Sequence, residues 1–280
     1  MEKTRKFNTL KDLFDFSTDR YKDNKAFSYI DGLNYTYKEL GVQTYKAQSL
    51  LLESGVGDRA KVAILGQNMP NWPVAYFSAV AFNRIAVPML PDFSENEIEN
   101  VMEHSESEAL IVSERLMHKV SQDRISKLKV VINMDTLEIV HSAGAKPAEA
   151  VQSPDSEDLA SIIYTSGTTG NSKGVMLSHR NLCSHLYAAA ILRPSFEWDV
   201  WLSVLPLSHT MENSLSMMLP MMSGSSVYYM EKAPTPSLLV QALAKTRPTT
   251  MLSVPLIIEK IYKNSVLPKF TASPSVKAIY

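Results

Sequence analysis

At 280 residues, 45% hydrophobic and 20% charged, the chain has a globular balance and is long enough for one large domain or two ordinary ones. Its 28 basic and 29 acidic residues leave a formal charge of -1, which excludes a global field that would gather nucleic acid or acidic lipid, so any anion it binds is held locally. The single cysteine, Cys183, excludes an internal disulfide, suits a reducing, cytoplasmic setting and reads as a small buried side chain rather than a catalytic thiol.

From the N-terminus, early positive charge has no apolar run of signal-peptide length behind it. "AFSYI" and "LNYTY" flank Asp31-Gly32 and predict a hairpin; Thr36 with Glu39 then forms a capping box for a helix ending near Gly55. Next come the strand "KVAIL", a helix opening near Pro70, the strand "IAVPM", a helix capped by Ser94 with Glu97, and the strands "ALIVS" and "KVVIN". The segment 145–158 has two prolines and little apolar content and reads as a linker.

Beyond it "LASIIYT" is a buried-type strand and "SHRNLCSHLYAAAIL" a helix. "VWLSVLPL" is a strand, "SLSMMLPMM" a helix closed by Gly224, and "SVYYM" a further strand. "PSLLVQALAKT", "TTMLSV" and "PLIIEKIYKN" continue the alternation. The expectation is an α/β fold of two similar subdomains, residues 1–150 and 151–280, with mostly parallel sheets flanked by helices. The longest apolar uncharged stretch, 213–230, holds five serines, a proline and a glycine, too interrupted for a membrane span. The chain is expected to be soluble, with peripheral membrane contact left open.

The densest chemistry lies in "YTSGTTGNSKGV", Tyr164 to Val175, with three glycines, five serine or threonine hydroxyls and one lysine in twelve residues. Glycines at 167, 170 and 174 let consecutive N–H groups turn inward. Thr165, Ser166, Thr168, Thr169 and Ser172 add hydroxyl donors and Lys173 a mobile charge, which together describe a cradle for phosphate. A nucleoside-triphosphatase loop needs glycine, lysine and then a hydroxyl residue in succession, and here Lys173 stands between Ser172 and Gly174. Gly170 to Gly174 also fits G-x-S-x-G, the elbow of serine hydrolases with Ser172 as nucleophile, but the strand before it is expected to end near Tyr164, too early for an elbow.

The run "IIYTSGTTGNSKGVMLSHRNL" resembles the phosphate-loop signature of the adenylate-forming superfamily of acyl-CoA synthetases, adenylation domains and luciferases. "LPLSHTMEN" and "TTMLSVPLIIEKIY" resemble the segments that follow it, and "YTYKEL", "VAILGQNMPNW" and "AVPMLP" fall where the family places similar strings. The resemblance covers nearly the whole chain. It implies ATP, Mg²⁺ and coenzyme A: a carboxylate attacks the α-phosphate of ATP, giving an acyl-adenylate and pyrophosphate, and a thiol then displaces AMP. Thr165, Ser166, Gly167, Thr168, Thr169, Gly170 and Lys173 would hold the β and γ phosphates, and His209 would lie beside the reacting carboxylate.

Glu212 is weaker, since a carboxylate facing the start of a helix explains it equally well. The remaining histidines show no metal spacing, and no metal ligand is assigned. Amino-acid-activating members carry an aspartate in the second segment; "LPLSHTMEN" has none and looks most like the long-chain fatty acid ligases. Six methionines between Met211 and Met230 add slight support for an alkyl tunnel, although such stripes are commonly core. The family's glycine-threonine-glutamate segment, ribose-binding aspartate and C-terminal lysine do not occur before Tyr280. The chain is therefore expected to be the N-terminal portion of a synthetase, inactive alone, with the missing C-terminal half of the polypeptide as its partner. The competing expectation is a non-catalytic nucleotide-binding module.

Overall fold

A computed structural model describes residues 5–165, 173–232 and 234–271. The first elements are α1 (Leu10–Arg20), β1 (Lys25–Tyr29), β2 (Asn34–Thr36), α2 (Tyr37–Glu53), β3 (Lys61–Leu65), α3 (Asn71–Val80) and β4 (Ile85–Met89). There follow α4 (Glu95–His104), β5 (Ala109–Val112), a 3₁₀ turn (Glu114–Lys119), α5 (Gln122–Ser126), β6 (Val130–Asn133) and β7 (Glu138–Ser142). After the linker come β8 (Leu159–Thr165), β9 (Lys173–Ser178), α6 (His179–Leu192), β10 (Val200–Ser203), α7 (Thr210–Glu212), a π-helical turn (Asn213–Met218), α8 (Leu219–Ser223) and β11 (Ser226–Tyr229). The last are α9 (Pro236–Thr246), β12 (Thr250–Met251), α10 (Pro255–Ile261), a second π turn (Tyr262–Val266) and α11 (Leu267–Thr271).

Local chemistry sets the helix starts. The Thr36–Glu39 and Ser94–Glu97 capping boxes form as expected, each side-chain pair satisfying two of the amides that a helix leaves open. An unanticipated third, Thr9 with Asp12, opens α1, whose Leu10, Leu13, Phe14 and Ser17 lie on one buried face. A fourth, Ser178 with Asn181, opens α6.

The strands form two sheets. The larger runs β7-β6-β5-β3-β4-β8-β9, parallel except where the edge strands β7 and β9 join it; the smaller runs β12-β10-β11-β1-β2, antiparallel only at the β1–β2 hairpin. Sheet membership crosses the boundary expected at residue 150. The N-terminal hairpin joins β10–β12, with Phe27 stacked on Tyr229 at 6.0 Å, whereas β8 and β9 extend the sheet begun by β3 to β7. The expected linker carries no helix or strand and lies against the larger unit, with Ala148 donating to the Leu52 carbonyl at 2.9 Å and Gln152 to Asp58 at 3.0 Å.

Alternation along the strands sorts side chains into layers. Val62, Ile64 and Ile111 of the larger sheet share one core with Trp201, Val227 and Tyr229 of the smaller, filled between by α1, α2, α3, α6 and α8. Their neighbours Ala63, Leu65 and Leu110 face the opposite way onto α4, and Leu202 and Tyr228 onto α9 and α10. The result is a five-layer α/β/α/β/α stack. Met217, Met218 and Met221 belong to the central layer, so these three methionines are core.

Gly224 closes α8 in the left-handed region at φ 73°, as expected from the sequence, and a Cβ there would lie 2.4 Å from the Tyr21 ring. Both strain and overlap oppose a side chain. Gly224→Ala is expected to cost roughly 2–3 kcal/mol in urea denaturation, against well under 1 kcal/mol for Gly57→Ala, whose φ is not positive and whose Cβ would meet only the Ala148 Cβ at 3.6 Å.

Candidate functional site

β8 delivers the glycine-rich segment to the carboxyl edge of the larger sheet. It runs parallel to β4, so Thr165 ends on the same edge as Met89 of β4, Leu65 of β3 and Val112 of β5. The strand end is anchored by Tyr164, whose phenol lies 2.7 Å from Nδ1 of His104 at the C-terminus of α4; burial pushes the phenol pKa up. Ser166, Gly167, Thr168, Thr169, Gly170 and Ser172 lie outside the described residues.

The chain returns as β9, not as a helix, and pairs antiparallel with β8 from Leu159↔Ser178 to Thr165↔Lys173. Thr165 and Lys173 are thus brought together, both exposed, as the two ends of the loop. Gly174 allows this close pairing: a Cβ would meet Ile162 Cγ2 at 2.9 Å and the Tyr164 ring at 3.3 Å. An elbow turns from strand directly into helix, whereas α6 begins only at His179, so the serine-hydrolase context is absent.

A cleft of about 410 Å³ opens where the carboxyl ends of both sheets converge. Its walls are Gln67 and Asn68 after β3, Pro91 and Asp92 after β4, Arg115, Leu116, His118 and Lys119 after β5, Ser203 to Pro206 at the end of β10, and Met230, Glu231, Lys232 and Pro234 after β11. In the larger sheet this is a switch point: β4 and β5 leave β3 on opposite sides, and their following loops splay apart. Arg115, Lys119 and Lys232 outnumber Asp92 and Glu231 along it, although Lys119 is committed to the carbonyls of Pro91 and Phe93 at 2.7 and 2.9 Å.

A relay of side chains fixes the cleft floor. Asn68 Nδ2 donates to the Leu205 carbonyl at 2.7 Å and to Ser203 Oγ at 3.1 Å, and Asn68 Oδ1 accepts from the Leu207 amide at 2.9 Å. Ser203 in turn donates its one O–H to Glu212 Oε1 at 2.6 Å. Glu212 is fully buried, and its Oε2 has no hydrogen-bond partner among the described residues. Burial pushes its pKa up to about 7, only partly offset by the Ser203 hydroxyl. Glu212 lies in the first turn of α7, as the helix-start reading has it, and is in addition buried and bonded to Ser203.

His209 lies at the end of this floor, exposed, at the N-cap position of α7, its amide donating to the Pro206 carbonyl at 2.9 Å. Its side chain makes no cap bond and does not line the cleft. Among the described residues no group of three or more His, Cys, Asp or Glu side chains converges as a metal site.

The family model for AMP-binding enzymes matches residues 14–279. The chain belongs to that family. Among curated relatives it is 27% identical to the long-chain-fatty-acid–CoA ligase heimdall of Drosophila melanogaster, over 95% of this chain and 44% of that protein. It is 25% identical to long chain acyl-CoA synthetase 1 of Arabidopsis thaliana, over 90% and 43%. The chain therefore spans less than half the length of these relatives. ATP-bound MatB of Rhodopseudomonas palustris shares the fold with a TM-score of 0.77 at 22% identity, over 91% of this chain and 51% of that one. The Klebsiella oxytoca NpsA N-terminal subdomain in complex with 3-hydroxybenzoyl-AMSN does so with a TM-score of 0.77 at 19%, over 93% and 64%.

For this AMP-binding family member, residue patterns singled out the loop and His209 but not Asn68, Ser203 or the cationic cleft wall. The available signal was a polar Asn68 three residues after a buried strand, where backbone ends need partners. Cys183 is buried as expected, its thiol pKa pushed up to about 12.

Because the folded-state pKa of Glu212 lies above its unfolded value, its contribution to stability is fully present below about pH 4.5 and lost as pH rises through about 7. Glu212→Gln is expected to gain on the wild type by about 3 kcal/mol between pH 4.5 and 8, read as the difference of two urea-denaturation pH profiles. Asn68→Ala should instead lose roughly 1–3 kcal/mol at every pH, because it leaves the Leu207 amide and Leu205 carbonyl unpaired.

Proposed function

We propose that this chain provides the phosphate-loop portion of an AMP-forming acid–thiol ligase that activates a long-chain fatty acid. The observation that supports it is the pairing of Thr165 with Lys173, the two described ends of the glycine- and hydroxyl-rich segment, at the carboxyl edge of the larger sheet. Ser166, Gly167, Thr168, Thr169 and Gly170 would complete the cradle. In this reading the carboxylate oxygen of the fatty acid bonds to the α-phosphorus of ATP as the bond to the β-phosphate oxygen breaks. Charge builds on the departing pyrophosphate, which Lys173 and the loop donors would neutralise. A thiolate then attacks the acyl carbonyl carbon and AMP leaves. His209 would orient the acyl group from the end of the Asn68-held floor, and Arg115, His118 and Lys232 on the cleft wall would suit the phosphates of coenzyme A. Mg²⁺ enters as the counter-ion of the triphosphate.

The first test is calorimetric titration of the 280-residue chain with MgATP. Saturable binding is expected, and Lys173→Ala should weaken it about three- to tenfold, the scale of one exposed charge contact, because several donors share the load. Activity is tested in the longer polypeptide. If that makes no AMP with any fatty acid although MgATP binds, the ligase reading falls to a non-catalytic nucleotide-binding module. A fluorophosphonate should leave Ser172 unlabelled.

A further inference from the structure

The cleft occupies the carboxyl end of the smaller sheet, and the opposite end has a surface of different character. β1, β11, β10 and β12 are mutually parallel, so their starts at Lys25, Ser226, Val200 and Thr250 share that end. The segment before β10 exposes four large apolar side chains within eight residues: Ile191 at 56%, Leu192 at 86%, Phe196 at 45% and Trp198 at 74%. Phe196 and Trp198 stack at 4.9 Å with planes 1° apart, an aromatic pair held out from the body. The body holds the tip in place, since Glu197 between them accepts from Asn24 at 3.1 Å and the Phe196 amide donates to Asp199 at 2.8 Å.

Charge surrounds this tip unevenly. Lys22 and Lys25 flank the start of β1, Arg193 follows α6 and Arg247 precedes β12, all exposed, against exposed Asp23 and Glu197 and the buried Asp199, which lies 4.0 Å from Arg193. Tryptophan, leucine and phenylalanine at a projecting tip within a ring of basic side chains match the acyl boundary and anionic headgroups of a bilayer. A protein partner would need a broad face of roughly 800 Å² on this side, and four side chains at a helix end do not make one. We propose that the Ile191–Trp198 tip docks this chain on an anionic lipid surface, with the cleft at the far end of the sheet.

The other two tryptophans, Trp72 and Trp201, are buried, so lipid-borne quenching reads Trp198 alone. The test is co-sedimentation with phosphatidylcholine vesicles with and without phosphatidylserine, together with tryptophan quenching by brominated acyl chains. Expected are binding that needs phosphatidylserine and weakens with salt, quenching of the exposed indole, and roughly tenfold weaker partitioning in Trp198→Ser and in Leu192→Ser. Val140→Ser, at an exposed apolar position on edge strand β7, should bind like the wild type. Absence of vesicle binding, or binding that Trp198→Ser leaves intact, overturns the proposal. So does self-association that Trp198→Ser abolishes in a chain that ignores vesicles, which would assign the tip to a second copy. None of these outcomes depends on whether the loop holds ATP.

Discussion

Two asparagines in "QNMPNW" tie the two sheets together. Asn68 bonds three groups of the loop after β10, and Asn71, at the start of α3, accepts from the Tyr35 phenol of the smaller sheet at 2.7 Å while donating to the Met134 carbonyl beyond β6 at 2.7 Å. The central hydrophobic layer holds the sheets face to face, but apolar contact is non-directional and leaves their relative register soft. Buried amides supply direction, because each unmet donor or acceptor there is costly. The cleft, its floor and the placing of His209 all follow from that register.

The interior holds two titratable groups with opposite demands. Glu212 is more stable protonated, whereas His179, buried between α1 and α6, accepts the Leu10 amide at Nδ1 over 3.0 Å, and burial lowers its pKa to about 4. His179 has its folded pKa below the unfolded value, so its contribution is present above about pH 6.5 and lost as pH falls toward 4. Acid therefore attacks the docking of α1, and alkali burdens the cleft floor. The two buried groups make neutral pH a compromise between the docking of α1 and the cleft floor.

Much of the fold was legible because its signals are local. Thr36–Glu39, Ser94–Glu97 and Gly224 each act within one turn of the backbone, so a short string of letters specifies them. The interleaving of sheets was not legible, since the parallel pairing of β1 with β11 is decided by Phe27 meeting Tyr229 across most of the chain. β9 was hidden for a related reason: "KGVMLS" is short and half exposed, and it becomes a strand only because Gly174 lets it lie against Ile162 and Tyr164. The candidate loop could be read from composition alone. The Asn68–Ser203–Glu212 relay could not, because its members come from distant segments and mean nothing apart.

A sheet of parallel strands has two unlike ends, and this chain exploits both. At the carboxyl ends the backbone stops before loops of varied length, and the loops after β3, β5 and β10 leave a cleft with a polar floor and a cationic wall. At the amino ends the strands begin together, and short connections such as Pro194 to Asp199 can carry exposed apolar groups without disturbing any ladder. β10 is four residues long, so about 13 Å of strand separates the two ends. Trp201 and Leu202 fill that distance, one facing each adjoining core, and a change at the tip is therefore buffered from the cleft by rigid, close-packed strand. Contact at the tip and chemistry at the cleft can then vary independently, which the Asn68 register, bonded only to the carboxyl end, leaves free to happen.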